Sequence, residues 1–557
     1  MKKLFTGTRQ LTRFILRRER VISLIWILVL VLFSALLAPG MSSMFDNEAR
    51  QQFAAVYDNP VMVAMLGPIY GADDYTAGAM YGGMMLLWYA ISVAVMNVFI
   101  VTRHTRANEE HGREEVIRSL PVGRLANINA TMISAFIINT VLAIATGLAI
   151  FATQIESLDL AGCMLYGAVS GAVGLVFAAI TSVFCQLSSN TSGAIGLSFL
   201  VLGGAYMLRA AGDINTEILS LISPLGLAQR SQVFVENNPL PLIALLIIAT
   251  AISLLAYKLN SVRDMGQGFI SARPGRKTAA KSLLSPLGLS RRLLRNTIIV
   301  WVIVMFATGG SYGSVIGDIP GFVGNSPEYL TLMGIPAEML EHISDEAKAE
   351  IIVDGFGVFV MSMMSLIALI PVLMAALKLR GEEKYGRVEH VLSRSVSRTK
   401  YLFGFTAIAF MSSVLMQIAT VLGLYYTTEA VTANSEQFNP FVLENLFKAS
   451  FVYLPAFWII VGFATLLIGF FPKLTGIVWG YYGFVCFATL MGGMAVLPEW
   501  LMKLPPMSYI PEIRVTDLNL FESEEIRLVA LSVMCGVAIV LTVAGFVGYR
   551  KRDMVCS

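Results

Sequence analysis

Apolar runs of about 18 or more residues recur along the whole chain, with short charged stretches between them. The pattern predicts spans at roughly 21–38, 80–102, 125–152, 162–185, 192–211 and 240–258, then at 297–316, 356–378, 401–427, 449–471, 473–496 and 526–549. Each is long enough to cross the ~30 Å hydrocarbon layer as a helix. The expected fold class is an all-α polytopic membrane protein with twelve transmembrane helices, six in each half.

Polar punctuation divides the chain in two. Residues 1–260 read as one six-span half, 261–296 as a basic linker and 297–557 as a second six-span half. The opening MKKLFTGTRQLTRFILRRER is basic, with Leu4, Phe5, Leu11, Phe14 and Ile15 at helical spacing, which suits an amphipathic elbow helix at the membrane surface. Ser282–Arg295, SLLSPLGLSRRLLR, repeats that character before the second half. The run Val21–Ala38 is long, and no small-residue cleavage site follows it, so it reads as an uncleaved first span.

Composition removes the soluble alternatives. Hydrophobic residues make up 56% of the 557 and charged residues 14%, at a mean hydropathy of +0.71. A soluble domain carries roughly 25% charged residues. The five cysteines are scattered and there are four histidines, so neither a disulfide framework nor a zinc site is indicated.

Charge sets the expected orientation through the positive-inside rule. Loop 1 holds Asp46, Glu48, Asp58, Asp73 and Asp74 against Arg50, and loop 7 holds eight acids from Asp318 to Asp354 against Lys348. Loop 2, the linker and the C-terminal YRKR are rich in Arg and Lys. Both termini are therefore expected on the cytoplasmic side, with loops 1 and 7 forming a small external cap. Two halves of six spans share one orientation, which makes them parallel repeats about an axis along the membrane normal.

One charged island occurs twice. Arg106–Arg124 reads RANEEHGREEVIRSLPVGR and Arg380–Arg398 reads RGEEKYGRVEHVLSRSVSR. A shift of 274 takes Arg106 to Arg380, Glu109 to Glu383, Gly112-Arg113 to Gly386-Arg387, Glu115 to Glu389 and Arg124 to Arg398. Topology needs Lys and Arg, but it does not need matched glutamates and glycines. The spacing predicts i,i+4 pairs Glu109–Arg113 and Glu383–Arg387 on a short helix. Gly112 and Gly386 predict a bend or a close backbone contact. Such a helix suits docking on a partner, and neutralising Glu109 and Glu383 is expected to uncouple the machine without unfolding it. Ser395 replaces Pro121, which predicts a less sharply turned end to the second island.

No GxxxxGK[ST] loop occurs, no HExxH, GxSxG or paired-carboxylate arrangement sits on a plausible soluble scaffold, and the longest cytoplasmic segment is only about 40 residues. The chain has no ATPase site of its own, binds no cofactor and reads as a transport subunit rather than an enzyme. Among polar residues inside spans, Asn97 and Arg209 are candidates for a substrate pathway between the halves. The alternative for each is structural: interhelical bonding for Asn97, and snorkelling for Arg209.

The two islands resemble the corresponding stretch in ABC type-2 exporter permeases, above all the two-half permeases associated with export of polyketides and other antibiotics. The likeness rests on Asn108–Glu115 with Pro121–Arg124, and on Gly381–Glu389 with Ser395–Arg398. It implies that Arg106, Glu109, Glu110, Gly112, Arg113, Glu115 and Arg124, with Arg380, Glu383, Gly386, Arg387, Glu389 and Arg398, form two ATPase-coupling helices. It also implies two copies of a separate ATPase that binds ATP and magnesium, a small amphiphilic substrate, the inner membrane of a prokaryote and no nucleic acid. A secondary transporter of the major facilitator type is the rival. Against it stand the long outer loops, the missing Asp before each Gly-Arg and the lack of a buried acid for ion coupling.

Overall fold

The computed structural model describes residues 2–45, 47–57, 60–215, 217–264, 266–270, 277–317, 319, 344–434, 441–491, 499–511, 513, 515 and 524–553. No strand occurs among them. The chain divides into two compact units, Met1–Gly275 and Arg276–Ser557, with the division inside the basic linker.

In the first unit the long helices are α1 (Thr8–Met44), α4 (Ala77–His104), α7 (Ala126–Phe151), α8 (Leu160–Leu187), α9 (Thr191–Asn215) and α12 (Leu240–Val262). Shorter ones are α2 (Asn47–Tyr57), α3 (Pro60–Leu66), α5 (Arg106–Glu110), α6 (Arg113–Arg118), α10 (Glu217–Ile222) and α11 (Pro224–Gln229). The second unit has α13 (Pro286–Gly313), α14 (Asp345–Lys384), α15 (Arg387–Leu392), α16 (Arg398–Asn434), α17 (Leu443–Phe451), α18 (Leu454–Phe470), α19 (Ile477–Met491), α20 (Glu499–Met502) and α21 (Glu524–Lys551).

Eleven helices among the described residues are long and apolar enough to cross a membrane. The run expected at 473–496 holds the shorter α19, and residues 492–498 lie outside the described ones. Of the loop 7 acids, Asp318, Glu328, Glu338 and Glu341 also lie outside them.

Two expectations change. The basic N-terminal stretch is not one separate elbow helix: Lys2–Phe5 forms a 3-10 turn, and Gly7, at φ 85°, starts α1, which carries the remaining basic residues and meets no proline before Pro39. Likewise the Ser285 hydroxyl caps the Gly288 N–H, Pro286 opens α13, and Arg291 to Arg295 ride on that same helix. Span 8 begins about eleven residues early, at Asp345, so several acids expected in loop 7 lie on α14. Asp354 is fully buried there and accepts the Val515 N–H at 2.8 Å.

Small residues set the helix packing. In the first unit α8 is central, flanked by α4, α7 and α12, with α1 against α7. In the second, α13 packs on α16, α21 on α18, and α14 on both α16 and α18. A Cβ on Gly167 would lie 2.2 Å from the Ala143 carbonyl oxygen, and one on Gly423 would lie 2.1 Å from that of Phe306. Only hydrogen fits such gaps, and close backbone approach is what gives lipid-embedded helices their dispersion energy.

Candidate functional site

Each island is a kinked segment tied to the end of the last long helix of its own unit. In the first unit α5 stops at a turn through His111 and Gly112, and α6 restarts from it. Gly112 has φ 70° and ψ 4°; Gly386, between α14 and α15, has φ 68° and ψ 4°. A side chain in this left-handed region costs about 1 kcal/mol or more. The glycines therefore make the bend that their recurrence predicted.

That bend rules out the expected Glu109–Arg113 pair, because residues 109 and 113 no longer share a helix face. Glu109 turns inward instead. It lies 2.8 Å from Arg106 and 2.8 Å from Arg263, and accepts the Gly266 N–H at 2.7 Å. Arg124 completes the tie by donating to the Arg263 carbonyl at 2.8 Å. The second unit repeats this connection. Glu383 pairs with Arg380 at 3.3 Å and with Arg552, and Arg398 donates to the Arg552 carbonyl at 2.7 Å. The expected Glu383–Arg387 pair is replaced by Arg387–Glu382 at 3.5 Å, with Arg387 over the Tyr385 ring.

Arg263 and Arg552 are the partners that the spacing of the islands did not reveal. Each follows immediately on the last helix of its unit, α12 or α21, in the string Arg-Asp-Met. They are related by a shift of 289 rather than 274, so the search register that found the islands passes over them.

Burial sorts the island residues by role. Side-chain exposure is 2% for Arg106, 10% for Glu109 and 7% for Glu383, so these are internal ties rather than a surface. Arg113, Glu115, Val116 and Leu120 are exposed, as are Tyr385, Arg387 and Glu389. Glu110 bonds the backbone N–H of Thr191 at 3.0 Å and its hydroxyl at 2.6 Å, which anchors the start of α9 to the island. Lys384 stands at the matching place in the second island and cannot make that bond. Past the short helices the two turns agree despite Ser395: Val122 N–H to Leu120 and Val396 N–H to Arg394 are both 2.7 Å. The expected blunter end is absent.

The units differ in what fills the space beside this tie. Residues 106, 109, 124 and 263 line a cavity of about 20 Å3, while 380, 383, 398 and 552 line one of about 740 Å3. In the first unit the chain after Arg263 folds back, with Phe269 and Ile270 donating to the carbonyls of Gln186 and Leu187 at the end of α8. Glu114 faces the smaller cavity, accepting from Asn127 at 2.7 Å and Arg118 at 3.3 Å. Burial pushes its carboxyl above the ordinary value, and Arg118 opposes that shift.

Both pathway candidates are fully buried within the first unit. Asn97 on α4 and Asn139 on α7 exchange two amide hydrogen bonds, at 3.0 and 2.8 Å, and also donate to Val93 and Ala135. A Cβ on Gly174 would lie 2.5 Å from Asn139 and 2.6 Å from Asn97, so this glycine makes room for the pair. Arg209 is fully buried rather than snorkelling. It pairs with Asp213 at 3.3 Å and donates to the carbonyls of Val63, Ala64 and Met65 at the end of α3. Loop 1 is thus packed onto the far end of the first unit. No cluster of three or more potential metal ligands occurs among the described residues.

Comparison with known proteins gives the setting for these features. A family profile described as "Multidrug efflux system permease Rv1217c, C-terminal domain" matches residues 10–258 and 283–550. The "Multidrug efflux system permease protein Rv1217c" of Mycobacterium tuberculosis is 30% identical over 561 residues, covering 99% of this chain and 96% of that protein. This chain belongs to that multidrug efflux permease family. The long apolar helices and this kinship make it a multi-pass membrane permease, a transport protein rather than an enzyme. Within the family profile's two matched stretches lie both islands and Arg263's helix α12 up to residue 258.

Proposed function

We propose that this permease is the membrane part of an ATP-driven exporter of the ABC type-2 class, moving amphiphilic drug-like molecules out across the plasma membrane. It does so as twelve spans in two parallel six-span repeats, with both termini cytoplasmic. Two copies of a separate ATPase, holding ATP and magnesium, seat against the exposed faces of α6 and α15. The observation that carries the reading is the repeated tie. An ATPase pressing on an island held only by solvent-exposed contacts would bend the island. Glu109–Arg263 and Glu383–Arg552 instead pass the push to the last long helix of each unit.

The test is reconstitution with an ATP-binding-cassette subunit that co-purifies with the chain. ATP should drive uptake of a fluorescent amphiphile into inside-out vesicles. Reversing the exposed charges together (Arg113→Glu, Glu115→Arg, Arg387→Glu, Glu389→Arg) should abolish transport and ATPase binding while thermal stability stays within about 1 kcal/mol, as expected for surface changes. Transport that persists without ATP, or that survives the fourfold reversal, overturns the proposal.

A further inference from the structure

Helices α16 and α21 of the second unit are separated, at the end that carries the island, by an exposed groove of about 360 Å3. Its walls are largely apolar, with Phe403, Ala407 and Phe410 from α16 and Val543, Phe546 and Val547 from α21, beside Thr406 and Thr542, whose hydroxyls donate to carbonyls of their own helices. These positions recur three or four residues apart, so one face of each helix builds one wall. Thr399 and Arg550 stand at the end of the groove nearest the helix termini. The only formal charge in the lining is the Arg550 guanidinium, on an exposed side chain in the last turn of α21.

The first unit shows the same place closed. The island shift puts Asn129 where α16 has Phe403, and the shift of the last helices puts Tyr257 where α21 has Phe546. There the Tyr257 hydroxyl donates to the Asn129 amide oxygen at 3.1 Å, and Phe5 packs edge-on against Tyr257 at 6.4 Å. Two phenylalanines cannot make that bond. What remains in the second unit is an open apolar trench with a cation at one end.

We propose that this groove binds an anionic phospholipid, with an acyl chain between α16 and α21 and the phosphate at Arg550. A trench open to the bilayer fills with hydrocarbon, because leaving it empty forfeits dispersion contacts on both walls. A neutral chain alone gives no headgroup preference. The single guanidinium supplies one, since arginine recognises phosphate through paired N–H donors and a basic site between helix ends selects anionic headgroups.

The full chain, delipidated in detergent, is titrated with phosphatidylglycerol or phosphatidylcholine and read by native mass spectrometry. Wild type should retain phosphatidylglycerol several-fold better than phosphatidylcholine. Arg550→Gln should remove that preference while leaving phosphatidylcholine retention unchanged. Ala407→Trp, which fills the trench, should reduce both; Val547→Trp serves if that variant does not elute as a single folded species. The proposal falls if Arg550→Gln keeps the preference, or if both tryptophan variants retain lipid as wild type does. It also falls if a fluorescent efflux substrate binds the delipidated wild type and Arg550→Gln equally and Ala407→Trp removes that binding, which would make the trench a substrate site.

Discussion

Glu109 and Arg263 lie 154 residues apart in sequence and 2.8 Å apart in space, and they join the first island to the end of α12. Both are nearly buried, so Glu109 cannot be neutralised as a harmless probe of coupling. Glu109→Gln leaves Arg106 and Arg263 without their anion, and breaking such a pair from one side costs about 3 kcal/mol. Chemical or thermal unfolding of the purified chain should show that loss. Arg263→Gln in the same chain should recover a part, giving a coupling energy of at least about 1 kcal/mol in a double-mutant cycle. Additive losses would remove the tie from the account.

The apolar spans could be read from the sequence because a bilayer leaves a helix little freedom of composition. The islands were legible because their residues recur at one fixed shift. Their inner architecture was not. A left-handed glycine redirects Glu109 away from Arg113, and its actual partner arrives from the far end of the unit in a different register. Arg209 and Asn97 were legible as polar residues in apolar helices. Their roles depended on what faces them: the α3 carbonyls for one, and Asn139 across a gap left by Gly174 for the other.

Gly112 and Gly386 provide a test of backbone conformation that packing does not confound. A Cβ at either would meet nothing within 4 Å, so the penalty of a substitution lies in φ alone. Asparagine tolerates the left-handed region and valine does not. Gly112→Asn should therefore keep transport near wild type, while Gly112→Val loses about 1–2 kcal/mol of stability or straightens the island and lowers transport. Equal behaviour of the two variants would show that the bend is dispensable.

The paired amides of Asn97 and Asn139 should behave as structure rather than as a substrate contact. Asn97→Leu strands Asn139 in an apolar setting, at a cost of about 1–2 kcal/mol. The loss should be the same with any transported molecule present. A change in the ranking of substrates, measured as relative transport of three dissimilar dyes, would return Asn97 to the pathway.

Glu114 gives the first island a pH dependence with a definite sign. Its carboxyl is held above the ordinary value by burial, so the folded chain takes up its proton more readily than the unfolded chain. The stability it contributes is full below the ordinary carboxylate range and is lost as pH rises through the folded value. Glu114→Gln should leave a chain at least as stable at pH 7, with a flatter stability profile between about pH 4 and 7. A variant that is less stable at pH 7 would mean that the Arg118 and Asn127 contacts outweigh burial.

Arg209 makes the packing of loop 1 testable. Its guanidinium reaches three carbonyls at the end of α3, of which Val63 also takes the Gly67 N–H and Met65 the Tyr206 hydroxyl, and it pairs with Asp213. Lysine carries the charge but not the planar fork, so it can serve Asp213 or the carbonyls but not all at once. Arg209→Lys should keep the chain folded yet release α3, giving faster proteolysis within residues 60–66 and faster amide exchange there. Arg209→Met should add the cost of leaving Asp213 without its nearest cation, which now relies on Arg230 at 3.9 Å. If the lysine variant protects α3 as well as wild type does, the planar fork of Arg209 adds nothing, and loop 1 is anchored by the charge on Asp213 together with the Tyr206 and Gln229 bonds to Met65 and Leu66.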